Sequence, residues 1–527
     1  MPVFDTQGLS TDQIEELARL SRAAYEENSP PSDWTAVTGT ELDAGYSGIT
    51  FTNGGAAARV FRKDGTLVVS FRGTDDPLSD GPDFLDIFPD TNAYIDNFNA
   101  LLSAVAAYVQ DESNGVTTLQ VTGHSLGGAA ANLLRNVASS RYDGVFDDAD
   151  FVAFAAPTMS TNPSILNVGF MNDWVFKAFY ANGGLTSTGP TDFFASATDR
   201  IVWYNDLLFL NNDLGLGIRQ IPEFLVNASS SPHQISNYID AVERISASEF
   251  YAETTRDTTI LLAETDFTVR PLNPEAGDNT GPVLILGRSQ ADILEGGSNN
   301  DFLEGLGGND LLIGLAGNDK LSGGFGRDEF IGGAGDDTIN GGGGSQDIAY
   351  YTTETNLRVN LSLQSTNART NEGNDQLQFV EHIVGTSTAD QIDGNAQNNM
   401  IIGFGGRDFI DGGEGNDTLI ASDGDRIAMV GGSGDDLLFF EDARDVGATG
   451  DEGNDTFVFN NVDGNVRITD FTVGEDVIVV NAFLALFFND VDFDQAGTDT
   501  TFEVDGTTYI LNDVDASLLG SEDVFLV

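Results

Sequence analysis

The spacing of apolar side chains divides the chain into two kinds of sequence. Up to about residue 265, helix and strand periods alternate. Ser10 with Gln13 forms a capping-box pattern, and Ile14, Leu17, Ser21 and Tyr25 fall near one face, which predicts a helix over 10–25. AARVFRKDGTLVVSFRG (57–73) reads as a hairpin turning at Asp64-Gly65. TTLQVT (117–122) is a short buried strand followed by a helix running to about Val137. FVAFAAP (151–157), ILNVGF (165–170) and RIVWYN (200–205) supply further buried strands. Such alternation predicts a mostly parallel sheet with helices on its faces. A polar Pro/Gly stretch, ETDFTVRPLNPEAGDNTGP (264–282), then breaks the pattern. Beyond it a nine-residue period takes over, in blocks such as GLGGNDLLI (305–313) and GGAGDDTIN (332–340): glycines early, Asp sixth, an aliphatic residue eighth.

Six aspartates keep that period, Asp292, Asp301, Asp310, Asp319, Asp328 and Asp337. This is the RTX nonapeptide signature of a calcium-binding parallel β-roll. Glycines allow the tight turn, carboxylates and turn carbonyls offer hard oxygen ligands for Ca²⁺, and the aliphatic side chain fills a narrow core. Each nonapeptide makes half a coil, so Asp292, Asp310 and Asp328 should line one edge and Asp301, Asp319 and Asp337 the other. A flexible linker would have neither fixed period nor recurring core residue. A second block repeats the register with Asp390, Asn399, Asp408 and Asp417, and Asp436 and Asp455 follow at intervals of 19. Asn399 offers only a neutral carbonyl oxygen. The resulting plan is an α/β unit (1–265), a linker (266–282), a first repeat block (283–350), a β-rich spacer (351–384), a second block (385–458) and a C-terminal cap (459–527).

Composition sharpens this picture. Lys and Arg number 23 against 83 Asp and Glu, a net charge of −60. Such a polyanion has no electrostatic attraction for nucleic acid or anionic lipid. Without calcium the repeats should repel themselves and stay loose. The chain has no cysteine, which removes disulfides and thiolate metal sites from consideration. MPVFDTQGLSTDQ lacks the basic and apolar regions of a Sec signal, and no apolar run reaches membrane-spanning length.

The chemistry concentrates in VTGHSLGG (121–128), a G-x-S-x-G pentapeptide between a strand and a helix. That context is the nucleophile elbow, with Gly123 and Gly127 leaving room for a strained turn that exposes Ser125. The helix start offers the N–H of Leu126 to an oxyanion. A second donor is expected after LVVSFRGTDD (67–76), where Gly73 permits close approach and Thr74 carries an N–H. Three histidines exist, His124, His233 and His382. His124 adjoins the nucleophile and would point away, and His382 lies among the repeats, so His233 is the candidate base. The acid should lie between serine and histidine. Asp173 and Asp206 each follow a strand, and periodicity does not separate them.

The whole chain resembles the bacterial family I.3 lipases, type I-secreted enzymes with an α/β-hydrolase half and an RTX half. The matching segments are FRGT (71–74), GHSLGG (123–128), FAAPTMS (154–160), NVGFMNDWVF (167–176) and FYAETTRDTTI (250–260). The resemblance makes Asp173 the triad acid, although Trp174 stands where that family has proline. It also likens Asp523-Val524-Phe525-Leu526-Val527 to the C-terminal signal read by type I exporters. Stretch 75–100 is shorter than the calcium-stabilised lids of those lipases, and Asp80, Asp83, Asp86 and Asp90 within it form an acidic loop. The implied protein is a secreted, calcium-dependent carboxylic ester hydrolase, first a triacylglycerol lipase, alternatively a phospholipase A1 or a short-chain or polyester esterase. A non-catalytic RTX adhesin is the rival from another class.

Overall fold

A computed structural model describes residues 9–25, 30–53, 56–73, 91–154, 165–170, 199–204, 235–254, 258–263, 281–344, 346–352, 355–363, 367–481 and 491–527. The chain forms two compact units, Met1–Thr265 with Asn273–Leu286, and Asp266–Leu272 with Gly287–Val527.

The first unit is built on one sheet. Its opening helix α1 (Thr11–Ala23) starts at a complete capping box between Ser10 and Gln13, worth about 1 kcal/mol. Strands β1 (Thr35–Val37) and β2 (Thr50–Asn53) lie end to end along β3 (Ala56–Lys63). A hairpin joins β3 to β4 (Thr66–Arg72), and both turn residues, Asp64 and Gly65, have positive φ. That left-handed pair gives a turn matching the twist of the two strands. From β4 the sheet runs parallel through β5 (Thr118–His124), β6 (Asp150–Phe154), β7 (Ile165–Phe170), β8 (Asp199–Tyr204), β9 (Thr259–Leu262) and β10 (Val283–Leu286). Strand β10 occupies residues that the nine-residue pattern had put at the start of the first repeat block.

Alternate residues of the central strands face opposite layers, as strand geometry requires. Val69, Phe71, Val121 and Ala153 share a buried cluster with helices α2 (Thr91–Asp96), α3 (Asn99–Gln110) and α4 (Leu126–Val137). The other face takes α1, through Ser21 Oγ to Thr122 Oγ1 at 2.8 Å and Ser70 Oγ donating to the carbonyl of Leu20 at 3.1 Å. Helix α5 (Ile235–Ala247) packs beside α1. With both faces covered, β4 to β6 are almost entirely buried, which is why they read as apolar runs rather than alternations.

The second unit is a coil of parallel strands in two sheets. Leu312 pairs with Phe330 and Leu321 with Ile339, a register of eighteen residues per turn. In the first block each strand sends one large side chain inward: Leu294, Leu303, Leu312, Leu321, Phe330 and Ile339 are all buried. One sheet has eleven strands, from Ile293–Glu295 to Val524–Leu526. It does not notice the spacer, because Ile348–Tyr350 pairs directly with His382–Val384. The other face absorbs the spacer as an antiparallel insert. There Asn374–Gln378 continues from Thr338–Gly343, turns antiparallel to Ala368–Arg369 and then to Arg358–Asn360, which restarts the parallel stack at Gln391–Asn395. Toward the C-terminus the thin aliphatic row becomes aromatic. Phe440 stacks on Phe459, and Phe459 meets Tyr509, which stacks on Phe502 at 4.7 Å.

Candidate active site

Ser125 sits between β5 and α4 at φ 56 and ψ −124, a left-handed conformation that a residue with a Cβ adopts only at a cost. Its amide donates to the carbonyl of Phe154 at 2.9 Å, and its own carbonyl accepts from Ala129 at 3.1 Å. The side chain makes no cap hydrogen bond to the helix it opens. Both elbow glycines are forced by their neighbours. A Cβ on Gly123 would lie 2.3 Å from the Gly127 carbonyl oxygen, and one on Gly127 would lie 2.1 Å from that of Phe71. The turn is therefore tied to the end of β4. There Gly73 approaches so closely that its Cβ would be 3.1 Å from Ser125 Cβ and 2.6 Å from the His124 carbonyl oxygen.

Tyr25 and His124 brace this junction. The Tyr25 hydroxyl accepts from the Gly73 N–H at 3.0 Å, lies 3.0 Å from His124 Nδ1 and reaches the His124 carbonyl at 3.3 Å. Burial pushes the phenol well above its usual range, so it stays protonated, and the Arg72 guanidinium lies 5.9 Å from its ring centroid. The sequence placed Tyr25 near one face of the helix expected over 10–25, whereas α1 ends at Ala23, and it did not reveal that the hydroxyl meets the elbow. A tyrosine one turn beyond an apolar helix face is the only signal it offered.

Of the predicted residues, Ser125, Leu126 and Gly73 come together here. Thr74, Asp173, Asp206 and His233 lie outside the described residues, as do Asp80, Asp83, Asp86 and Asp90. Strands β7 and β8 run parallel to β5, so their last residues, Phe170 and Tyr204, lie at the same end of the sheet as Ser125. His382 belongs to the roll, where its Nδ1 accepts from the Met400 N–H at 2.9 Å and burial holds its pKa down.

In the roll the repeat aspartates are buried and stacked. The amides of Asp310 and Asp319 donate to Oδ1 of Asp328 and Asp337, one coil further on, at 2.9 and 2.8 Å. Residues outside the simple repeat continue these ladders: Asp347 and Glu381 along one edge, Asp375 along the other, then Asp476 after Asp455. An extra residue in GGGGSQD and the spacer itself hid the first three from the nine-residue count, and an interval of 21 residues hid Asp476. Among the described residues, eight aspartates keep a buried Oδ2 with no hydrogen-bond partner. Burial pushes Asp319 up to about 8 and Asp310, Asp408 and Asp436 to about 7. Buried carboxylate oxygens without donors suit a hard cation. Among the described residues no three His, Cys, Asp or Glu side chains converge.

Comparison with known proteins gives the same two parts. Lipase (class 3) matches residues 68–165, which contain the elbow, and the RTX calcium-binding nonapeptide repeat matches 286–321, 313–345 and 384–419. Two lipases of Pseudomonas fluorescens are 36% and 34% identical over 201 and 200 residues, each covering 36% of this chain. The matched part spans 43% and 41% of those relatives, less than half their length. The extracellular lipase LipA from Serratia marcescens aligns over 100% of both chains with a TM-score of 0.55 and 21% identity, which establishes the shared fold, α/β hydrolase followed by β-roll.

Proposed function

We propose that the protein is a secreted, calcium-dependent serine ester hydrolase, with triacylglycerol lipase as its activity. The observation that carries this reading is the left-handed Ser125 at a strand–helix elbow, pressed against the glycine that ends β4. Ser125 Oγ attacks the ester carbonyl. His233 takes its proton and returns it to the leaving alcohol, and Asp173 holds the imidazole in the required tautomer. The tetrahedral oxyanion is received by the N–H groups of Leu126 and Thr74, and water then releases the acyl group from the serine. Calcium, when bound, orders the roll and supplies no part of this chemistry. Among the described residues no helix is long and apolar enough to cross a membrane. Export is by a type I exporter that reads the C-terminal segment while the roll is still loose, and calcium folds the roll outside the cell.

The test is Ser125→Ala. Loss of a triad member typically costs on the order of 10⁴–10⁶ in turnover, while the fold should survive because the hydroxyl caps nothing. Hydrolysis of p-nitrophenyl butyrate at the wild-type rate by the variant would overturn the mechanism. Wild-type turnover compared across p-nitrophenyl esters from acetyl to stearoyl and on emulsified triglyceride separates a lipase from a short-chain esterase.

A further inference from the structure

The twelve turns that carry the repeat Asp or Asn fall into two classes that the nine-residue repeat does not distinguish. In eight of them the residue four places before the Asp has positive φ, and the Asp keeps its unpartnered buried Oδ2. In the first block these second-position residues are Leu306, Leu315, Gly324 and Gly333, serving Asp310, Asp319, Asp328 and Asp337. In the second block they are Phe404, Gly413, Gly432 and Asp451, serving Asp408, Asp417, Asp436 and Asp455.

The turns that open each block differ. Arg288, Gly297, Thr386 and Asn395 hold the same second position without positive φ, and there the main-chain N–H points at the carboxylate. Arg288 donates to Asp292 Oδ2 at 2.6 Å, Gly297 to Asp301 Oδ2 at 2.5 Å and Thr386 to Asp390 Oδ2 at 2.7 Å; Asn395 donates to the amide oxygen of Asn399 at 2.8 Å. Side chains complete two of these closures. The Arg288 guanidinium meets Asp292 Oδ1 through Nε at 2.9 Å and Nη2 at 2.6 Å, and the Thr386 hydroxyl donates to Asp390 Oδ1 at 2.7 Å.

From this division we infer that calcium enters only the eight left-handed turns, and that Asp292, Asp301, Asp390 and Asn399 are closed by the protein's own donors and hold no ion. A carboxylate whose second oxygen already accepts an N–H gains little from a cation, and Arg288 brings to Asp292 the positive charge that calcium brings elsewhere. The left-handed turn leaves a buried carboxylate oxygen unanswered, and near neutral pH a cation beside it offsets the cost of burying that charge. The division follows a glycine. All eight turns have glycine with positive φ at the fourth position, from Gly308 to Gly453, whereas the closed turns carry Gln290, Asn299, Thr388 and Gln397 there. At Gly326 a Cβ would lie 1.6 Å from the Gly308 carbonyl oxygen, so a side chain at this position is incompatible with the stack. Each block would thus begin with turns that need no metal, next to which the metal-dependent turns are laid down.

The experiment counts ions in the full-length protein. Wild type, Asp301→Asn, Asp390→Asn, Asp337→Asn and Asp417→Asn are equilibrated in calcium and desalted, and bound calcium per chain is measured by atomic emission, with far-UV circular dichroism to check the fold. Asp301→Asn and Asp390→Asn should hold as many ions as wild type, and Asp337→Asn and Asp417→Asn at least one fewer. An ion lost from either of the first two variants overturns the assignment, as does an unchanged count in a folded variant of the second pair. If one of that pair does not fold in saturating calcium, Asp301→Asn and Asp390→Asn still decide, because a calcium-bound turn would lose its ion in them.

Discussion

Two tyrosine-to-phenylalanine changes, each removing a single oxygen from the hydrolase unit, should have opposite consequences. Tyr25 hydroxyl accepts the Gly73 N–H at 3.0 Å and lies 3.0 Å from His124 Nδ1. In Tyr25→Phe the Gly73 amide loses that acceptor at a position too crowded for a side chain, and leaving a buried donor unsatisfied costs about 1–3 kcal/mol. Gly73 immediately precedes Thr74, whose N–H is the proposed second oxyanion donor. Deleting such a donor outright lowers kcat by about 10²–10³. Displacing it by relaxing its neighbour should cost less, roughly tenfold, or about 1.4 kcal/mol in the barrier. The hydroxyl of Tyr46, by contrast, is buried with no hydrogen-bond partner among the described residues. Tyr46→Phe should therefore leave stability unchanged or slightly raised, and leave activity alone. The assay is kcat and KM on a soluble p-nitrophenyl ester together with thermal unfolding. Tyr25→Phe should lower kcat with KM nearly unchanged, since the oxyanion contact strengthens only in the transition state. A kcat within about twofold of wild type would refute the bracing role, as would an equal loss in Tyr46→Phe.

Asp173→Asn should be far more damaging to turnover than Asp206→Asn, because only one carboxylate can orient His233; the reverse ranking in steady-state kinetics would exchange their assignments. Gly127→Ala should cripple the enzyme although it adds one methyl group, since the Cβ meets the Phe71 carbonyl at 2.1 Å and no flexible side chain is there to yield; soluble yield and ester hydrolysis measure it. Acid should stabilise the calcium-stripped roll. Burial raises Asp310, Asp408 and Asp436 to about 7 and Asp319 to about 8 in the folded state, against about 3.9 unfolded. The metal-free native state then binds more protons than the unfolded chain between those values. Its stability is fully present below the lower value and is lost as pH rises through the upper ones. Far-UV circular dichroism of calcium-stripped protein should show more β-structure at pH 5 than at pH 8, and the opposite trend would contradict the burial of these carboxylates.

Legibility in the sequence followed how locally each feature is determined. The capping box at Ser10, the Asp64-Gly65 turn and the elbow glycines are set by residues within a few positions, and all were readable. The eleven-strand face of the roll was readable in kind but not in extent. Asp347 follows Asp328 by 19 residues and Glu381 follows Asp347 by 34, because a coil tolerates insertions on its opposite face as long as one sheet stays in register. A fixed period is blind to that tolerance. The Tyr25 brace was hidden for a different reason: a helix pattern reports which face is buried but not which atom a long polar side chain meets across the sheet.

The two classes of turn show a third situation, in which the signal is present but its meaning is not. Gln290, Asn299, Thr388 and Gln397 stand in plain view where the other repeats have glycine, and a composition argument passes over them as degenerate copies. Only the backbone shows the consequence. Glycine at that position accompanies a left-handed second residue, which turns the N–H away and leaves an acidic oxygen without a donor. A side chain at the fourth position accompanies the opposite hand, and the same Asp becomes an ordinary turn-closing carboxylate. The Asp that names the repeat is thus common to both classes. What separates a metal-seeking turn from a self-sufficient one is the residue two places before the Asp, which acts by permitting or forbidding one backbone conformation.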